Sequence, residues 1–165
     1  MKTELQTYRD LVAETRNLIR YYLKKLEGAD VRKRWEIDGK KLNSIYWLVA
    51  HMTWAQNNLL LRSSGGPNPG IKWLKFFGMG KSPDEGEVNG PSWEEVQEGF
   101  KRVHELALAH LNAMDPSLLD SPNKLDWEVM GSKTIRATIM HHIRHENTHA
   151  GHLSWLAKLN ERVTI

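Results

Sequence analysis

The final segment constrains the fold more than any other. Between about residues 132 and 160 the chain has no proline and a single glycine. It reads as one unbroken helix of roughly 28 residues, about 42 Å long. Three further stretches share its periodicity. The first runs from about residue 3 to residue 27, with Leu5, Tyr8, Leu11, Val12, Leu18, Ile19, Tyr22, Leu23 and Leu26 at helical spacing, and Gly28 stops it. A polar stretch, residues 29–42, leads to a second helix capped by Asn43 or Ser44. It continues through Trp47, Leu48, His51, Trp54, Ala55 and Asn58 to the breaker Ser63-Ser64-Gly65-Gly66. The third opens at a capping box, Ser92 with Glu95, and ends near Asn112, ahead of Asp115-Pro116.

Residues 65–91 differ in kind, holding Pro67, Pro69, Pro83, Pro91 and seven of the twelve glycines. They also carry an apolar island, Trp73-Leu74-Lys75-Phe76-Phe77, which is expected to pack over one end of the domain. A connection of this length is usually a crossover or a functional loop. Four amphipathic helices without a strand pattern predict an all-α four-helix bundle with this long crossover between helices two and three. At 165 residues the chain, residues 1–165, is expected to form one domain.

With 40% apolar and 26% charged residues, the composition is that of an ordinary soluble protein. The absence of cysteine excludes disulfides, thiolate metal sites and a cysteine nucleophile, and it fits a reducing compartment. No stretch approaches the roughly 18 apolar residues of a membrane span, and the N-terminus lacks a signal-peptide run, so a cytoplasmic location is expected. The net charge of +3 and pI of about 9.1 come from short basic clusters interleaved with acids. No nucleic-acid-binding signature accompanies them, and a solvated surface accounts for them.

Five of the eight histidines lie between residues 141 and 152. Residues four apart share a helix face, so His145 and His149 can offer two imidazole nitrogens to one ion. His141 and His142 extend that side, and His152 lies near its other end. A lone histidine would prove nothing, but a cluster this dense repels itself below about pH 6.5 unless its imidazoles are kept neutral. A metal does that.

Read literally, His145-Glu146-Asn147-Thr148-His149 is also the H-E-x-x-H pattern of zinc peptidases, with Glu146 as general base. The surroundings disagree. Gly151 and His152 follow the second histidine at two and three residues, where the extended motif needs three and six, and no strand pattern exists to hold a peptide. The third ligand is sought upstream instead. His51 sits mid-helix on the stripe of Trp47, Trp54, Ala55 and Asn58, where a basic group needs a partner. That partner is either an ion or an ordinary hydrogen-bond acceptor. His104 and His110, on the third helix, read as surface residues.

Ile45-Tyr46-Trp47-Leu48-Val49-Ala50-His51 and His145-Glu146-Asn147-Thr148-His149-Ala150-Gly151-His152-Leu153 together resemble the DinB-like superfamily, as does the stretch from Leu74 to Gly80. The resemblance covers essentially the whole chain in element order. It implies an up-down-down-up bundle, often a homodimer, with one divalent metal at the positions matched by His51, His145 and His149. Zinc or nickel is expected first, and iron, cobalt, manganese and copper also suit the ligand set. His152 stands where the family commonly has Gln, so it would add either a fourth nitrogen or a supporting contact.

Some relatives are thiol transferases or isomerases using bacillithiol, mycothiol or glutathione. The resemblance therefore implies a low-molecular-weight thiol and an electrophilic small molecule as partners. Trp47, Trp54, Asn58, Arg62, Trp73, Phe76 and Phe77 are candidates for a pocket lining, although aromatics at this spacing more often form core. Arg62 and Arg144 are the cations available for a carboxylated thiol. Glu146 suits a supporting contact to an imidazole or an arginine better than a base. Three readings stand: a metal-dependent thiol S-transferase or hydrolase, a non-catalytic bundle stapled by a structural metal, and an interaction module built on its basic faces.

Overall fold

The computed structural model describes residues 2–165. Helix α1 spans Glu4–Lys25 and starts at Thr3, which forms a reciprocal capping box with Gln6. Helix α2 spans Ile45–Gln56 and is capped by Ser44, whose hydroxyl accepts from the Trp47 amide. It continues without a break through a wider π-helical turn, Asn57–Arg62. Helix α4, Trp93–Ala113, opens with the Ser92–Glu95 capping box. Helix α5, Ile135–Leu159, is the longest at 25 residues and is capped by Thr134.

The core fixes the helix directions. At one end Ile19, Tyr22 and Leu26 from late α1 pack with Ile45 and Tyr46 from early α2, Val96 from early α4, and Leu153 and Leu156 from late α5. At the other, Leu5 of early α1 meets Leu60, Leu61, Leu111 and Ile135. So α1 and α5 run one way, α2 and α4 the other, an up-down-down-up bundle in which α1 packs on α5 and α4, and α2 on α4 and α5. Helices α2 and α4 are parallel, so the segment joining them must climb the length of the bundle.

That segment holds a 3-10 turn at Lys72–Phe76 and a short helix α3, Pro83–Asn89, which the sequence periodicity did not predict. The apolar island packs at the end holding the starts of α2 and α4, as expected. Phe77 is fully buried edge-on to Tyr46, and Trp73 stands edge-on to Phe77. Gly99 makes room for it. A Cβ there would lie 2.6 Å from the Trp73 ring.

The polar stretch contains a minimal antiparallel hairpin, Glu36–Ile37 with Lys40–Lys41, turned by Asp38-Gly39 with both φ angles positive. Helix α2 is largely apolar all round because it is buried all round: eleven of its twelve residues are buried, Trp54 being the exception. Among the described residues no helix is long and apolar enough to cross a membrane.

Candidate metal centre

His51, near the middle of α2, meets His145 and His149 of α5. Its Nε2 lies 3.1 Å from Nε2 of His145, which lies 3.1 Å from Nε2 of His149. One ring nitrogen from each of the three falls within 4.8 Å of the others. The four-residue spacing on α5 stacks two imidazoles on one face, and the packing of α2 against α5 supplies the third.

The surrounding contacts hold the rings in place. His51 donates from Nδ1 to the Phe77 carbonyl at 2.7 Å, which leaves its Nε2 as a bare lone pair directed at the other two rings. The Trp47 ring lies nearly parallel to His51 at 4.5 Å, and Trp54 stacks at 5.6 Å. The crossover thus does more than pack, since the carbonyl at the end of the apolar island selects the tautomer of His51. His152 approaches His149 with Nδ1 3.2 Å from Nδ1, so it supports the non-converging nitrogen of His149 rather than adding a fourth ligand.

A divalent ion fits this donor set. Two nitrogens bound tetrahedrally at roughly 2.0–2.1 Å would be about 3.3 Å apart, close to the 3.1 Å found here. Without an ion the three Nε2 atoms cannot satisfy one another, because one N–H cannot serve two lone pairs. Burial, followed by the neighbouring imidazoles, pushes His145 down to about 3 and His149 down to about 2, and burial also lowers His51. All three rings are therefore neutral near pH 7, the form that binds metal.

A cavity of about 380 Å³ opens onto His51 and His145. Trp54 and Ala55 of α2 and Leu59 of the π-helical turn line one side, His141 lies one turn before His145, and Met79, Asp126, Trp127, Glu128 and Val129 close the rest. The loop before α5 is placed by Asn123, whose side chain bonds Leu125, Trp127 and Lys133, and by the Lys124 amide donating to the Ser63 carbonyl. Of the expected lining residues only Trp54 faces this cavity. Trp47 backs His51, Trp73 and Phe77 belong to the core, and Arg62 is turned to Asn58 at 2.7 Å. Arg144 is exposed beside His141.

Glu146 points away from the triad. It is fully buried, with its Oε1 2.5 Å from Nη2 of Arg16, itself inaccessible on α1. Arg16 also donates to the Gln56 side chain and the Phe100 carbonyl and lies over the Phe100 ring. Burial pushes the Glu146 carboxyl up and the Arg16 guanidinium down, each partly opposed by the other. A carboxylate held this way is no general base at the triad, so the peptidase pattern in the sequence is not a peptidase geometry.

The surface reading of His104 is corrected by this network. His104 is buried, with Nδ1 3.3 Å from Nε2 of Gln56, because it falls between Phe100 and Ala107 on the inward stripe of α4. Burial and nearby Arg16 push it down to about 3. His110 is half-buried and meets the Ser64 hydroxyl.

No curated protein matches this chain. The sequence model of the DinB superfamily matches residues 11–153, a span that includes all three histidines and most of every long helix. That match covers most of the chain, and the fold brings the three histidines together. The protein is a member of the DinB superfamily.

Proposed function

We propose that this protein is a metal-dependent enzyme acting on a small molecule, with His51, His145 and His149 holding one divalent ion, zinc or nickel first among the candidates. The observation that supports this reading is the cavity, which reaches two of the three ligands directly. A purely structural ion would be closed off by its ligands, whereas a three-nitrogen site beside a cavity keeps a position open. When bound, the ion supplies a Lewis-acid centre that lowers the pKa of a water or thiol placed there.

The protein's own groups do the rest. Trp54 and Trp127, their ring centroids 6.2 Å apart, offer apolar faces to a planar or aliphatic substrate and exclude bulk water. His141 lines the same cavity, and its Nε2, unpartnered among the described residues, can take a proton from a nucleophile or give one to a leaving group. The lining contains no Lys or Arg and carries the carboxylates Asp126 and Glu128, which disfavours a carboxylated thiol in this cavity. Hydrolysis is therefore the first reading.

Thiol transfer is the second reading, and one feature favours it. A separate cavity of about 540 Å³ borders His152 and includes Leu48, Trp155 and Lys41. It would seat a second reactant, with Lys41 as its cation. The test is turnover of p-nitrophenyl acetate by zinc- and nickel-loaded protein, alongside conjugation of glutathione to monochlorobimane. Metal-dependent ester cleavage lost in His149→Ala supports hydrolysis. Conjugation alone supports transfer, and neither activity leaves the ion as a staple between α2 and α5.

A further inference from the structure

Helix α5 carries the triad residues and, on its inner side, a second set of buried polar groups that the proposed reaction does not use. Glu146 directly follows the ligand His145, and His142 precedes it by one turn. The Arg16–Glu146 pair is joined by Gln56, whose Oε1 accepts from Arg16 at 2.7 Å. Nε2 of Gln56 lies 3.3 Å from both His142 and His104. One side chain or carbonyl from each of α1, α2, α4 and α5 therefore meets at a single level of the bundle. Asn147 adds a bond to Thr15, so two consecutive residues of α5 are tied to two consecutive residues of α1.

From this we infer that Arg16, Glu146 and Gln56 are positioning residues for the metal centre, setting the rotation of α5 against α2 that brings His145 and His149 to His51. The proposal rests on the metal-binding reading above. Magnitudes make it reasonable. Side chains reach about 5–6 Å from a helix axis, so turning α5 by about 10° displaces a ligand nitrogen by about 1 Å. A metal site tolerates only about 0.2 Å in its bond lengths. Apolar packing alone is a loose rotational constraint, since a helix can rotate by a few degrees while its side chains change rotamer. A short ion pair with a fixed guanidinium plane is a tight one. The supporting contacts at His51 and His149 orient single rings, whereas this network orients the helix that carries two of them.

The test compares zinc and cobalt binding by the full-length wild type and the paired variant Arg16→Met/Glu146→Leu. The pair is removed together because either change alone strands a buried charge, while replacing both by apolar groups of similar volume commonly preserves the fold. The expected result is a metal-free melting temperature near that of wild type with a Kd for zinc weaker by at least tenfold. The visible spectrum of bound Co2+ should also be altered, reporting a changed coordination geometry. Equal Kd values and equal spectra would overturn the proposal and leave the network with a folding role only. If the paired variant does not fold, Gln56→Met decides, since it keeps the ion pair and cuts the bonds that tie α2 to Arg16, His104 and His142. Its Kd is expected to weaken severalfold, and an unchanged Kd overturns the proposal. Failure of wild type itself to bind either ion would overturn both this inference and the metal reading, an outcome distinct from equal binding by wild type and variant.

Discussion

Two buried polar clusters share helix α5, and the contrast between them shows how a candidate ligand site differs from a structural joint. The Arg16, Gln56 and Glu146 cluster pairs opposite charges and links four helices through buried hydrogen bonds. His51, His145 and His149 are less deeply buried, His145 only half-buried, and come from two of those helices; their three Nε2 atoms face one another with too few protons between them. A cavity opens beside them. The first cluster balances its charges within the protein, although Arg16 Nε, His142 Nδ1 and Glu146 Oε2 have no hydrogen-bond partner. The second gathers lone pairs that no cation among the described residues meets. Burial of polar groups by itself therefore says little about function, and the sign of the mismatch says more: surplus lone pairs call for a cation.

Breaking the first cluster should have the larger effect on the bare fold. Glu146→Leu leaves the Arg16 guanidinium charged and unpaired in the core. The expected loss is about 3–5 kcal/mol in urea unfolding of metal-free protein. A loss below about 1 kcal/mol would mean the pair is far wetter than its zero exposure indicates.

The second cluster should respond to metal instead. Zinc at a hundred times its Kd is expected to stabilise wild type by about 2.7 kcal/mol and to leave His149→Ala unmoved. In metal-free protein, His149→Ala should be close to neutral, because it removes one of three mutually unsatisfied groups. A large loss in the metal-free state would make the triad a joint like its neighbour.

Smaller again is Gln56→Leu, which leaves acceptors and donors of the first cluster unmatched. It is expected to cost about 1–3 kcal/mol without metal.

Acid acts on both clusters at once. His104, His142 and His145 are pushed down to about 3 and His149 to about 2, chiefly by burial. Unfolded histidine titrates near 6.5, so between about pH 6.5 and 3 the unfolded chain binds more protons than the folded one. Stability is full above about pH 6.5 and declines as pH falls through this window. Melting curves of metal-free protein from pH 7 to 4.5 should show a steady fall, before most carboxylates titrate. A flat melting temperature there would contradict neutral buried imidazoles in both clusters.

The triad was legible in the sequence because its signal is local. His145 and His149 are one turn apart, and His51 interrupts an otherwise apolar run. The partners of the other cluster are far apart in sequence, yet one cue was present. Arg16 occupies the inward stripe between Val12 and Ile19, just as His51 does on α2, and an arginine there must find a buried partner. His104 carries the same cue between Phe100 and Ala107, which points inward rather than to the surface. The cavity wall at residues 126–129 had no cue, since its placement depends on Asn123 gathering a non-periodic loop. The hairpin at Asp38-Gly39 was obscured because all four paired residues are exposed and three are charged, which leaves no alternating pattern.

The most direct test of the central claim is metal content by elemental analysis of untagged protein after reconstitution with zinc and removal of excess, on wild type, His51→Ala and His149→Ala. The expected result is one ion per chain in wild type and none in either variant, with both variants folded. Retention of the ion in His51→Ala would contradict the account, because α5 would then bind metal without α2. An empty wild type would contradict it outright.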